Sequence, residues 1–133
     1  MSEVIVLDTH IWLWLVNDNT HLFPQHWQER FETALQLGIS PVSCYEVALS
    51  HRKGRIQLPS IVQDWFAGAL APAGIDLLPL TETIAAQAVA LSPIHKDPFD
   101  RLIIATALVY GAQLASVDTV FPRYPELKGC LME

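Results

Sequence analysis

The sequence predicts an α/β fold, a three-layer α/β/α sandwich in which a central, mainly parallel sheet lies between two layers of helices. Residues 3–7, EVIVL, form an apolar, β-branched run without polar alternation, which is typical of a strand buried on both faces. Strand-like and helix-like segments then alternate along the chain, and no tight hairpin dipeptide such as Asn-Gly joins two strands. Because parallel strands need a long crossover, usually a helix, this alternation favours parallel pairing.

The first strand is expected to end at Asp8, and a short helix is predicted directly after it, over residues 9–16, THIWLWLV. Residues 24–38 carry apolar side chains at helical spacing, which predicts an amphipathic helix that ends at Gly38. Each of these helices then has an apolar face to pack against the sheet.

A second, short strand is predicted over residues 39–43, ISPVS. Pro41 has no N–H group to donate to a strand ladder, so we expect the strand to be interrupted there. The next helix is predicted over residues 44–54, CYEVALSHRKG, with Gly54 at its end. This segment adds a second strand–helix unit to the sheet.

The middle of the chain is predicted to contain a helix, a third strand and another helix. Residues 60–63, SIVQ, fit a capping box before the helix that contains Trp65 and Phe66. Residues 75–80, IDLLPL, are strand-like, and Thr81 is the expected cap of the helix that follows them.

The last unit of the fold is a helix followed by a strand. The helix is predicted from Pro98 to Gly111, since proline is favoured at the first helical position and glycine just past the last. The strand is predicted over residues 113–117, QLASV, and ends at Asp118.

The composition indicates one globular domain over residues 1–133. Hydrophobic residues make up 51% of the chain and charged residues 17%, which excludes a disordered protein. The apolar run IWLWLV is too short to cross a bilayer, and no basic residue precedes the first apolar stretch, so neither a membrane span nor a secretory signal is expected. Two cysteines without metal-ligand spacing favour a reduced, cytoplasmic protein.

Four acids are predicted to meet at one edge of the sheet. Asp8 and Asp118 follow the first and last strands, and Glu46 and Asp100 lie near the starts of two helices. In parallel α/β sheets, sites form at the carboxyl ends of the strands. Each acid alone could instead cap a helix or complement its dipole, but four together need compensating positive charge, which a hard divalent cation supplies.

The net charge of −6, from 8 basic and 14 acidic residues, argues against a nucleic-acid binder that relies on a basic surface. This argument weakens where acids hold metal ions, because the ions supply positive charge locally. The placement of the acids is therefore more informative than their number.

The stretch DPFDRLIIATAL places two acids three residues apart at the start of an apolar helix. Asp97 precedes Pro98 and is the better N-cap, whereas Asp100 becomes the third helical residue. Asp100 then shares an otherwise apolar face with Ile103 and Ile104, where a carboxylate needs a partner. We therefore expect Asp97 to start the helix and support the site, and Asp100 to bind metal.

The chain contains, in order, the segments LDTHIWLWL, SCYEVA, DPFDRLIIATAL and LASVD, between residue 4 and about Phe121. In this order they resemble the PIN domain, and in particular the VapC-type toxins of bacterial toxin–antitoxin pairs. The most specific segment is DPFDRLIIA, preceded by His95.

The resemblance implies a metal-dependent endoribonuclease with a PIN-like fold. One or two Mg²⁺ or Mn²⁺ ions, held by Asp8, Glu46, Asp100 and Asp118, would activate the water that cleaves an RNA phosphodiester. It also implies a cognate antitoxin that inhibits the enzyme, and a homodimer. The RNA target is not implied by these segments.

Several other residues are candidates to support the site or to contact RNA. Thr9 and Ser43 are expected either to hydrogen-bond the acids or to satisfy backbone groups at turns. Lys53, Arg55 and Arg101 are candidates for contact with the RNA backbone. The alternative for the cations is structural, because positive charge complements a helix C-terminus and Arg101 could pair with a neighbouring acid.

Two tryptophans, Trp12 and Trp14, are predicted on different sides of the first helix. One of them is therefore expected to lie at a dimer or antitoxin surface. The other is expected to pack in the core.

Two other functions stay open. A phosphatase or phosphotransferase of the haloacid-dehalogenase type would use Asp8 as nucleophile, but such enzymes place a second aspartate where this chain has His10. A catalytically inactive binding module with the PIN fold would most often lack one of the four acids. The complete set of acids favours the nuclease.

Overall fold

A computed structural model of the chain describes residues 3–94 and 96–133. The described residues form a four-stranded sheet in which every strand pairs in parallel with its neighbour. The strands are β1 Val4–Leu7, β2 Gln36–Ile39, β3 Ile75–Leu77 and β4 Gln113–Ala115. Their order across the sheet is β3-β2-β1-β4, which confirms the predicted parallel α/β fold.

Six α-helices connect and cover these strands within the described residues. They are α1 Thr9–Val16, α2 Trp27–Thr33, α3 Pro41–Arg52, α4 Val62–Ala69, α5 Glu82–Ala90 and α6 Pro98–Val109. Among the helices of the described chain, none combines the length and the apolar character needed to cross a membrane.

The two faces of the sheet carry separate hydrophobic cores. Side chains alternate between the faces of a strand, so Ile5 and Leu7 of β1 point to one side and Val6 to the other. Ile5 and Leu7 belong to the cluster built around Trp12 of α1, together with residues of α2 and α4. Val6 belongs to a second cluster with Ile104 of α6. The sheet is therefore covered on both sides, as a three-layer sandwich requires.

The second strand lies earlier in the chain than predicted. The helix predicted over residues 24–38 ends at Thr33, and the strand occupies Gln36–Ile39 rather than 39–43. Backbone at Ala34 is already extended, and the N–H group of Leu35 donates to the carbonyl of Glu3. The prediction was wrong because the pairing partner, β1, decides this conformation and the local helical spacing does not.

Gly38 and Pro41 serve different purposes from those predicted. Gly38 lies inside β2, where an added Cβ would be 2.6 Å from Cδ1 of Leu78, so glycine lets that leucine close over the strand. Pro41 is the first residue of α3 and interrupts no strand. Ser40 caps this helix, since its Oγ accepts the N–H group of Val42 at 3.2 Å.

Of the two helix caps predicted for α4 and α5, only that of α5 is observed. The capping box predicted over residues 60–63 is wrong, because Ile61 occupies the N-cap position of α4 and no described side chain caps that helix. Thr81 does cap α5, as predicted, by accepting the N–H group of Ile84 at 3.3 Å.

The third and fourth strands are shorter than the predicted ranges 75–80 and 113–117. The last hydrogen bond between β3 and β2 runs from the N–H group of Leu78 to the carbonyl of Ile39. The last one between β1 and β4 runs from the N–H group of Asp8 to the carbonyl of Ala115. The chain beyond these bonds is free to turn, so the residues that follow β1 and β4 are available to form a site.

Candidate metal centre

Two of the predicted acids follow strands that are neighbours in the sheet. Asp8 ends β1 and caps α1, with Oδ1 accepting the N–H group of Thr9 at 2.8 Å. Asp118 lies three residues beyond β4, and its Oδ1 accepts the N–H group of Val120 at 2.7 Å. Because parallel strands end at the same edge, both carboxylates lie at the carboxyl end of the sheet.

Ser116 links these two acids, and apart from its position in LASVD no sequence pattern indicated this role. Its Oγ donates to Oδ2 of Asp8 at 2.7 Å and accepts the N–H group of Asp118 at 3.1 Å. Ser116 is buried, so this short bridge holds the carboxylate of Asp8 next to the backbone of Asp118.

The helices α3 and α6 bring three further carboxylates together. One oxygen each from Glu46, Asp97 and Asp100 lies within 4.8 Å of the others, an arrangement that could hold a metal ion. Asp97 also caps α6, because its Oδ1 accepts the N–H group of Phe99 at 2.9 Å. Asp97 thus starts the helix as predicted, and its carboxylate stands beside Asp100 as a possible ligand, which the sequence did not indicate.

Thr9 and Ser43 join the strand acids to the helix acids. The hydroxyl of Thr9 donates to Oε1 of Glu46 at 2.6 Å, and its Oγ1 is 2.8 Å from Oγ of Ser43. A hydroxyl has one proton, so Ser43 is the donor to Thr9. Both side chains are buried and are positioned to hold Glu46, which favours support of the acids over a role in turns.

The carboxylates raise one another's pKa values. Burial, followed by the charges of Asp97, Asp8, Glu46 and Asp118, raises the pKa of Asp100 to about 7. Burial is also the first cause of the raised pKa of Asp8 and of Glu46. Negative charge is therefore concentrated in this cluster, and the group of Glu46, Asp97 and Asp100 offers only carboxylate oxygens as donors. Such a donor set fits a hard divalent cation such as Mg²⁺ or Mn²⁺.

The predicted cations lie in different places. Lys53 is the C-cap of α3 and Arg55 follows it; both are exposed. Lys53 is seven residues beyond Glu46, which places it about 10 Å along the helix. The guanidinium of Arg101 instead turns to the end of α5, where it donates to the carbonyls of Leu91 and Ser92 at 2.8 and 2.9 Å.

Arg101 is therefore expected to matter for stability. Replacing Arg101 with methionine keeps the stem but leaves backbone carbonyls at the end of α5, including that of Ala88, without their donor. Loss of several charge-assisted bonds should lower the free energy of unfolding by about 1.5–3 kcal/mol, with little change in RNA binding. Urea denaturation measures the first effect. A selective loss of RNA affinity at unchanged stability would restore the predicted contact with RNA.

A small cavity adjoins the acids on the side of α1. Its volume is about 220 Å³, and its lining includes Asp8, His10, Trp14 and Asp118. His95, which precedes the most specific of the resembling segments, lies outside the described residues.

Comparison with known proteins agrees with this architecture. The family model of the PIN domain matches residues 5–127. Ribonuclease VapC22 of Mycobacterium tuberculosis is 34% identical over 115 residues, which cover 86% of each chain.

Two solved structures share the fold. One is a chain of VapBC2 from Rickettsia felis bound to a DNA fragment from its promoter, with a TM-score of 0.70, 16% identity and 97% of each chain covered. The other is a chain of a toxin–antitoxin complex from Klebsiella pneumoniae, with a TM-score of 0.60, 19% identity, and 97% of this chain and 96% of that chain covered. The chain belongs to the PIN domain family and, within it, to the VapC-type proteins.

Proposed function

We propose that the protein is a metal-dependent endoribonuclease toxin that acts on RNA phosphodiesters and is inhibited by a cognate antitoxin. The observation that carries this proposal is the group of mutually repelling carboxylates at the carboxyl edge of the sheet, in which the pKa of Asp100 is raised to about 7. The naming of a 34% identical relative as a ribonuclease supports the choice of RNA as substrate.

Glu46, Asp97 and Asp100 would hold a Mg²⁺ or Mn²⁺ ion, and Asp8 and Asp118 would complete the acidic site. When bound, one or two such ions supply the positive charge that acidifies a water and stabilises charge developing on phosphate oxygens. This adds Asp97 to the four ligands predicted from the sequence.

The chain's own hydroxyl groups would keep the carboxylates in place during the reaction. Ser116 fixes one oxygen of Asp8, and the N–H group of Thr9 fixes the other. The Thr9 hydroxyl orients Glu46. Carboxylates held in this way lose little freedom when a cation and a phosphate arrive, which is the advantage of a preorganised site.

The partners belong to the same proposal. Structural neighbours of the chain occur in a VapBC complex and in a toxin–antitoxin complex, which supports an antitoxin as partner. We also expect a homodimer, and a single domain that folds as one unit. The two free cysteines, Cys44 and Cys130, agree with a reducing compartment, and we place the activity in the cytoplasm.

The test is cleavage of a panel of single-stranded and structured RNAs by the purified protein, with Mg²⁺ or Mn²⁺ and then with chelator. We expect cleavage only with metal, and at least about 100-fold less from Asp8→Asn, because loss of a ligand removes several kcal/mol of transition-state stabilisation. Asparagine still caps α1, so the variant should fold.

Asp64→Asn, on the exposed face of α4, is the matched control and should cleave like the wild type. Cleavage that persists in chelator would contradict the metal dependence. If no RNA is cut and metal does not raise the melting temperature, the protein is an inactive binding module, and the acids serve as helix caps and dipole partners.

A further inference from the structure

Tyr45 is a large aromatic side chain left in solvent beside the acidic site. It is 55% exposed and directly precedes Glu46 on α3. Its ring centroid lies 5.1 Å from that of Phe99, at an interplanar angle of 61°. Phe99 in turn directly precedes Asp100 on α6. The aromatic pair therefore joins the same two helices that bring the carboxylates together.

The geometry of this pair leaves a ring face available. In an edge-to-face contact, at most one face of either ring is covered by the other. Tyr45 therefore keeps at least one open face, as its exposure also indicates. At the same time the contact with Phe99 restricts the rotation of the tyrosine ring, which lowers the entropy cost of placing a ligand on it.

The charge of the protein makes such a face useful. The net charge is −6. The acidic cluster therefore repels the phosphates of an RNA chain, except for those that contact cations bound to the cluster. With only 8 basic residues against 14 acidic ones, the protein gains little affinity for RNA from contacts between cations and the RNA backbone. Stacking of a base on an aromatic ring does not depend on charge and contributes about 1–3 kcal/mol per base.

We propose that Tyr45, braced by Phe99, stacks an unpaired base of the RNA next to the phosphodiester that is cut. The substrate then has to be single-stranded at that position, because both faces of a base inside a duplex are covered by the bases stacked above and below it. The substrate in this proposal rests on the proposed ribonuclease function. Tyr45 is a substrate-positioning residue within it and takes no part in the metal site.

The experiment measures binding and cleavage separately. Binding uses single-stranded RNA oligonucleotides with 2-aminopurine at successive positions, whose fluorescence is quenched by stacking, on protein carrying Asp8→Asn so that the RNA stays intact. We expect quenching at one position and its loss in Tyr45→Ala, with affinity lowered about 5- to 150-fold. Tyr45→Phe and Tyr45→Trp should keep the quenching and the affinity. An RNA with an abasic nucleotide at that position should bind Tyr45→Ala and its parent protein equally well.

Tyr110 provides the matched control, since it is also an exposed tyrosine but caps the opposite end of α6. Tyr110→Ala should leave quenching and affinity unchanged. In cleavage assays with otherwise wild-type protein, Tyr45→Ala should lower kcat/KM for single-stranded RNA by a similar factor and leave binding of Mn²⁺ alone unchanged.

The proposal would be overturned if 2-aminopurine were quenched equally by Tyr45→Ala and by the parent protein that keeps Tyr45. It would also be overturned if no position in the RNA were quenched. A dimer that dissociates in Tyr45→Ala while RNA binding is kept would also overturn it, and would assign the ring to a protein interface. The failure of the proposed function looks different: the wild type would cut no RNA, while the fluorescence measurement would still decide whether Tyr45 stacks a base.

Discussion

Replacing Asp100 with asparagine is expected to abolish metal-dependent RNA cleavage and to stabilise the metal-free protein at neutral pH. Burial and four neighbouring carboxylates raise the pKa of Asp100 from 3.8 to about 7. The unfolded chain releases this proton near pH 4. Between about pH 4 and pH 7 the folded chain therefore binds more protons than the unfolded chain, so its free energy of unfolding falls as the pH rises through that range.

Asparagine carries no charge, so the variant escapes this penalty above pH 7. The carboxyl of Asp100 is only half-buried, and after solvent screening we expect a gain of about 1–2 kcal/mol. The same change removes an anionic oxygen from the proposed metal site. Loss of several kcal/mol of transition-state stabilisation corresponds to cleavage slower by about 100- to 1,000-fold or more.

Urea denaturation in chelator at pH 5 and pH 8, together with cleavage assays in Mn²⁺, measures both effects of Asp100→Asn. At pH 5 the difference in stability between the variant and the wild type should be only about a third of that at pH 8, because just one of the roughly three pH units over which the wild type loses stability has been crossed. Asp64→Asn should change neither property. A variant that is less stable than the wild type at pH 8, or that cleaves normally, would contradict the assignment of Asp100.

The sequence was sufficient to predict where the acids meet, because that prediction depends on chain order and parallel pairing alone. Asp8 and Asp118 follow β1 and β4, which are neighbours in the sheet, so their positions are insensitive to errors of one or two residues in strand length. Glu46 was found for a related reason. The second strand was misplaced by three residues at its start and four at its end, but the helix after it still carries the side chain to the same edge.

The remaining parts of the site depend on distances that no local pattern contains. Ser116 can bridge Asp8 and Asp118 only because β1 and β4 are paired in the observed register. Asp97 was identified correctly as a helix cap, but its approach to Glu46 is set by the packing of α3 against α6. Each of these features becomes visible only when two segments far apart in sequence are placed side by side.

Replacing Trp12 with alanine is expected to lower the free energy of unfolding by about 3–5 kcal/mol. The Trp12 side chain is 0% exposed, and its ring lies 4.9 Å from that of Trp65 on α4. Its Nε1–H group donates to the carbonyl of Ala69 at 2.9 Å. The variant would therefore leave a large cavity and an unpaired buried carbonyl. Trp12→Phe, which keeps most of the ring but not the donor, should cost less, about 1–2 kcal/mol.

Trp14 is the matched control for this prediction, because it lies two residues further along the same helix and is only half-buried. Trp14→Ala should cost about 1–2 kcal/mol, in keeping with its looser contact with His10 at 5.7 Å. Since Asp8 caps α1, the cavity left by Trp12→Ala should also loosen the cap and weaken Mn²⁺ binding, whereas Trp12→Phe should bind Mn²⁺ like the wild type. Urea denaturation and metal titration measure these effects, and equal losses of stability at Trp12 and Trp14 would contradict the placement of Trp12 in the core.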